Sequence, residues 1–118
     1  MTDLKKRTDE ALVRIDDFYF RMRNLDRDGE LIARGIDYAS GITHEVVNSA
    51  SDEKLYNKIK FLVKTFDKQC KDLAIMTRGK KESYVINTTL NIIGMVYVKN
   101  KLQELLDNED AKENKDND

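Results

Sequence analysis

The sequence contains no proline and no tryptophan, and only five glycines, one cysteine and one histidine. Proline and glycine mark turns and strand ends, so their scarcity favours helices, whose interiors exclude proline. The single cysteine, Cys70, excludes a disulfide within the chain. Together with the lack of an apolar N-terminal segment, it predicts a cytoplasmic protein. The most apolar run, LNIIGMVYV, is too short to cross a bilayer, so no membrane partner is expected.

Side chains that carry catalysis are equally scarce. The single histidine, His44, excludes a pair of imidazoles within one chain, and the segment HEVVN lacks the second histidine of a zinc-protease helix. Cys70 falls at the edge of an apolar helical stripe, which predicts a buried thiol. The chain also lacks a glycine-rich phosphate loop and a nucleophile elbow. We therefore expect a protein that is not an enzyme, with no catalytic residues, no cofactor and no bound metal.

Apolar residues recur at helical spacing in four segments, at residues 3–24, 29–50, 52–78 and 83–106. The third segment is the clearest, with Leu55, Ile59 and Leu62 on one stripe. In the fourth segment, residues 83–98 are rich in β-branched side chains and would also suit a strand. A lone strand would leave its backbone groups unpaired, so a helix is favoured. Four helices joined by short turns predict an all-α protein that folds as a four-helix antiparallel bundle.

Charge is distributed unevenly, although the formal net charge is only −1. Residues 51–103 hold eleven Lys and Arg against five Asp and Glu, whereas residues 104–118 hold two against seven. The C-terminal segment also has almost no apolar side chain to bury. The chain is therefore predicted to comprise a single helical domain at residues 1–106 and a disordered acidic tail at residues 107–118.

Residues 24–35, NLDRDGELIARG, lie between the first two helical segments. Their first eight positions resemble the calcium-binding loop of EF-hand proteins, with oxygen-bearing side chains at positions 1, 3 and 5 and Gly29 at position 6. The resemblance implies a bidentate glutamate at position 12, where this chain has Gly35. Gly35 also lies on the apolar stripe of the second helix, which indicates close helix packing. We interpret the segment as a turn in which Asp28 caps the second helix and Glu30 lies in its first turn.

An apolar surface predicts contact between proteins. Val13 and Phe20 are two turns apart on the side of the first helix opposite its core stripe, and the fourth segment is apolar on nearly all sides. We expect Met95 and Val98 on the exposed side of that segment. Such surface predicts self-association, most simply as a twofold dimer, or contact with another protein. The predicted function is a non-enzymatic interaction module that acts as an adaptor, inhibitor or assembly factor.

A basic surface supports an alternative, a nucleic-acid-binding accessory protein. The basic side chains of the third helix and of the turn after it are Lys54, Lys58, Lys60, Lys64, Lys68, Lys71, Arg78, Lys80 and Lys81. A lysine face can bind a phosphate backbone through sequence-independent electrostatics. We expect Asp67 and Asp72 to interrupt this face and no aromatic side chain to lie within it for base stacking. High salt would abolish this binding and spare an apolar protein contact.

Overall fold

The computed structural model describes residues 3–116, with side chains described through residue 113. Within that range, four α-helices follow one another without a strand: α1 Asp3–Arg23, α2 Arg27–Ser49, α3 Asp52–Met76 and α4 Glu82–Asp116. Connections of two to five residues make successive helices alternate in direction. The prediction of an all-α, four-helix antiparallel bundle is confirmed, and residues 83–98 are helical. The predicted ends of the first three helices lie within two residues of those observed.

One apolar core is shared by all four helices. Each helix contributes fully buried side chains at helical spacing, among them Ile15 of α1, Ile36 of α2, Phe66 of α3 and Val98 of α4. α2 and α4 make the most extensive contact of any helix pair, and α1 and α3 pack against this pair. In the described part of the chain, no helix has an apolar stretch long enough to span a membrane.

Glycine permits the close contact between α2 and α4. A Cβ atom at Gly35 would overlap the backbone oxygen of Asn91, and a Cβ atom at Gly94 would overlap the backbone oxygen of Ile32. The two helix backbones therefore touch directly, and a larger residue at either glycine would push them apart. The interpretation of Gly35 as a position of close helix packing is confirmed.

The start of α2 uses a different cap from the one expected. Asp26, and not Asp28, is the N-cap: its backbone is extended, and its Oδ1 accepts a 2.6 Å hydrogen bond from the amide of Gly29. Asp28 and Glu30 lie in the first turn, where the helix dipole favours carboxylates. Gly29 is helical and buried, and a Cβ there would overlap the carbonyl oxygen of Met22. The assignment of Asp28 as the cap is wrong, and the acidic segment serves to begin α2.

The acidic C-terminal segment extends α4. Residues 107–116, which the sequence assigned to a disordered acidic tail, continue α4 as a helix; the last two residues of the chain lie outside the described range. Glu109 pairs with Arg7 of α1, and Asp110 Oδ1 accepts a 2.6 Å hydrogen bond from the hydroxyl of Tyr56 on α3. These polar partners hold the end of α4 against two other helices, although the segment offers little apolar surface.

Candidate interaction surfaces

Two residues that the sequence placed on the exposed side of α4 belong to the core. Met95 and Val98 have only 3% and 0% of their surface exposed, so their prediction as interaction residues is wrong. The sequence could not show which side of α4 faces solvent, because its apolar residues surround the helix and three other helices pack against it. The apolar side chains that α4 does expose include Ile86 and Ile93, which are two turns apart.

Val13 and Phe20 are exposed on α1, with 68% and 55% of their surface accessible. Between them and on the same side of the helix, Asp16 contacts α2. Its Oδ1 accepts a 3.3 Å hydrogen bond from the hydroxyl of Ser40 and lies 3.4 Å from Nε2 of His44. Val13 and Phe20 therefore flank the seam where α1 meets α2.

Gly41 lies on the α2 side of this seam, next to Ser40 in the chain and three residues before His44. A Cβ atom at Gly41 would meet no atom within 4 Å, so no contact among the described residues requires a glycine there. A glycine within a helix is nevertheless about 1 kcal/mol less favourable than alanine. One turn earlier, Tyr38 is 48% exposed. We define the α1–α2 face as Val13, Phe20 and Gly41.

The basic residues singled out from the sequence are all exposed. Nζ of Lys68 lies 3.5 Å from Oδ2 of Asp72, and Nζ of Lys71 lies 2.9 Å from Oδ2 of Asp67. These carboxylates interrupt the lysine face, as predicted. The other lysines of this set on α3 have no ion-pair partner among the described residues: Lys54, Lys58, Lys60 and Lys64. The connection between α3 and α4 carries the remaining three: Arg78, Lys80 and Lys81.

Sequence reasoning missed an aromatic residue on this basic face. Phe61 is 63% exposed and lies on α3 between Lys58 and Lys64, about one turn from each. The expectation that no aromatic side chain lies among the lysines is therefore wrong. The signal was available in the sequence, because Phe61 falls outside the apolar stripe that contains the buried Leu62 and Phe66.

A cavity of about 420 Å³ opens between α2, α3 and α4. Leu73, Met95 and Tyr38 form part of its lining. Gln69 and Asn91 also line it, and their side-chain oxygens are buried without a hydrogen-bond partner among the described residues. A buried acceptor is unfavourable unless a donor reaches it. The cavity therefore suits an apolar group that also carries an N–H or O–H donor.

The candidate reactive side chains are placed as follows. Cys70 is buried, as predicted, and burial raises the pKa of its thiol, which disfavours the nucleophilic thiolate. His44 is partly exposed and contacts Asp16. Among the described residues, no group of three histidine, cysteine or carboxylate side chains is arranged to hold a metal ion.

Comparisons of the chain with known protein families, with curated proteins and with solved structures found no match.

Proposed function

We propose that this protein is a cytoplasmic, non-enzymatic helical interaction module that self-associates through the α1–α2 face. As an oligomer it would act on another protein as an adaptor, inhibitor or assembly factor. The observation that carries the proposal is Gly41, an exposed glycine in the middle of a helix with open space around it. Exposed apolar side chains accompany it on the same two helices.

The α2–α4 contact shows how α2 can use glycine. At Gly35 the absence of a side chain lets another helix approach until the backbones touch. Gly41 offers the same opportunity on the outward side of α2. In a twofold dimer the same patch meets itself, so two copies of α2 would cross close to Gly41. Val13 and Phe20 would then be covered by the second copy, and full burial of such side chains contributes about 1.5–3 kcal/mol each.

Two ion pairs of mixed sign lie near this face. Arg21 pairs with Asp17 at 3.2 Å, on the α1 side, and Arg34 pairs with Glu30 at 3.3 Å, on the α2 side. Each pair combines opposite charges one turn apart on the same helix. Asp37 and Glu45, one turn on either side of Gly41, are both acidic and exposed, so these mixed pairs offset only part of the repulsion between two copies.

Substitution of Phe20 tests the proposed interface. Light scattering coupled to size exclusion should show the wild-type protein at twice the chain mass of 13.7 kDa, in a concentration-dependent equilibrium with the monomer. Phe20→Glu places a charge in the interface, which should weaken association by at least about 2 kcal/mol, or roughly thirtyfold. Because Phe20 is exposed in the monomer, helix content measured by circular dichroism should not change.

Phe61→Glu is the matched control. It makes the same substitution at a phenylalanine of similar exposure on α3, away from the α1–α2 face, and should leave the dimer intact. A wild-type protein that remains monomeric at high concentration would contradict self-association. A Phe20→Glu variant that dimerises as well as the wild type would place any interface elsewhere.

A further inference from the structure

Phe61 is exposed on α3, outside the apolar core of the bundle. Its neighbour Leu62 is 1% exposed and belongs to the core, whereas Phe61, rotated by about 100° around α3, is 63% exposed. A single exposed hydrophobic residue is unremarkable in a folded protein. The surroundings of this ring are more informative than its exposure.

Lysines surround Phe61 along its side of α3. Residues three, four and seven positions away are its neighbours on the helix surface, the nearer ones about 5–6 Å from it between Cβ atoms. Both positions at a spacing of three and both at a spacing of seven are exposed lysines: Lys54, Lys58, Lys64 and Lys68. The positions at a spacing of four are Asn57 and Thr65, which carry no charge. We call Phe61 and these four lysines the Phe61 platform.

The nearby carboxylates leave the platform positive. Asp67 pairs with one lysine on its own helix and one on α4. Its Oδ2 lies 2.9 Å from Nζ of Lys71, and its Oδ1 lies 3.4 Å from Nζ of Lys99 on α4. Asp72 pairs with one platform lysine, Lys68, at 3.5 Å. The three remaining platform lysines have no ion-pair partner among the described residues. Phe61 therefore has lysines without an ion-pair partner on both sides of it along the helix.

We propose that the Phe61 platform binds single-stranded nucleic acid, with one unpaired base stacked on the ring of Phe61 and the flanking phosphates bound by the lysines. This combination of an aromatic face and a positive path for the backbone is typical of sequence-tolerant single-strand binding. A duplex hides its base faces within the stack and would use only the lysines. The binding site is separate from the α1–α2 face and does not depend on self-association.

The polar neighbours of Phe61 favour this ligand over a membrane surface. A helix that lies on a bilayer buries a continuous stripe of large apolar side chains. On α3 the positions one turn from Phe61 on its own side are polar or charged, including Asn57 and Thr65. One ring can stack on one base, but one ring does not form a membrane-binding stripe. Lys71 and the basic connection after α3 would extend the path of the backbone toward α4.

Fluorescence anisotropy with a labelled oligothymidylate of about 16 nucleotides, the upper end of common site sizes, tests the platform directly. Four lysine–phosphate contacts predict a slope of log K against log salt of about −2.8, hence about a 50-fold loss of affinity between 50 and 200 mM salt. Phe61→Ala should weaken binding by about 5- to 150-fold and leave the slope unchanged, because stacking releases no counterion. The double variant Lys58→Ala, Lys64→Ala should reduce the slope to about −1.4.

Leu25→Ala and Lys6→Ala are the matched controls, since both residues are exposed and lie outside α3. Both variants should bind the oligonucleotide as the wild type does. No binding at low salt would overturn the proposal, as would binding that Phe61→Ala leaves unchanged. Equal affinity for a blunt duplex would show that binding is electrostatic without base stacking, and it would overturn the proposal. Binding to phosphatidylserine vesicles in place of the oligonucleotide, lost in Phe61→Ala, would assign the platform to a membrane surface and also overturn it.

Discussion

Gly35 and Gly41 lie six residues apart on α2, and they occupy opposite situations. At Gly35 the neighbouring helix backbone fills the space that a side chain would need. At Gly41 the same space is empty out to 4 Å. The first glycine is explained by the fold of one chain, since α2 and α4 could not touch without it. The second is explained by no contact that the described residues make.

The two sides of α2 therefore have different packing requirements. The inward side requires small residues because another helix is already present. The outward side carries the same residue type at about 1 kcal/mol of lost helix stability, with the exposed Tyr38 one turn away. If a second helix packs at Gly41, close helix contact explains the outward glycine as it explains the inward one. Substitutions on the two sides of α2 should therefore have different effects on stability and association.

The largest expected effect follows Gly35→Ala. The new Cβ would overlap a backbone atom, which cannot move without separating α2 from α4, so the free energy of unfolding should fall by about 3 kcal/mol or more. Urea unfolding followed by circular dichroism measures this change. Gly94→Ala, which crowds the same contact from α4, should destabilise the protein similarly. A loss below 1 kcal/mol in both variants would show that the helices can separate easily, and the explanation of the inward glycine would fail.

Gly41→Ala should have a smaller effect with two opposite components. The monomer should gain about 1 kcal/mol of stability, because alanine favours a helix and the added methyl group meets no atom. Self-association should weaken, because the same methyl group would separate the two copies of α2. Urea unfolding at concentrations below the dimer dissociation constant measures the first component, and sedimentation equilibrium measures the second. A more stable monomer with unchanged dimerisation would remove Gly41 from the interface.

Much of this arrangement could be predicted from spacing in the sequence. The four helices follow from apolar periodicity, and the packing role of Gly35 follows from its place on the apolar stripe of α2. The exposure of Val13 and Phe20 also follows from helical phase. These inferences succeed because each depends on residues that are close in sequence, where helical geometry determines which side chains share a face.

Features that depend on distant residues could not be predicted in this way. The pairs that hold the end of α4, Arg7 with Glu109 and Tyr56 with Asp110, join residues 102 and 54 positions apart. An acidic segment without apolar residues gives no local sign of such partners. The burial of Met95 depends on how neighbouring helices surround α4, which the sequence of α4 alone does not specify. Phe61 differs, because its phase on α3 already indicated exposure.

The smallest expected effect involves Asp67, which joins α3 to α4 through charge and takes no part in either side of α2. Hydrogen bonds from Lys71 and then Lys99 lower the pKa of its carboxyl group below the ordinary value. Because the pKa is lower in the folded state, the stabilisation is present above the unfolded pKa and is lost as the pH falls through the folded pKa. Asp67→Asn should therefore be slightly less stable than the wild type at neutral pH and equally stable in acid. Urea unfolding across that pH range tests this, with Lys99→Met as a control that should show a reduced pH dependence. The loss caused by Gly35→Ala is steric and should not vary with pH, so the same series separates the packing of α2 from the exposed ion pairs of α3.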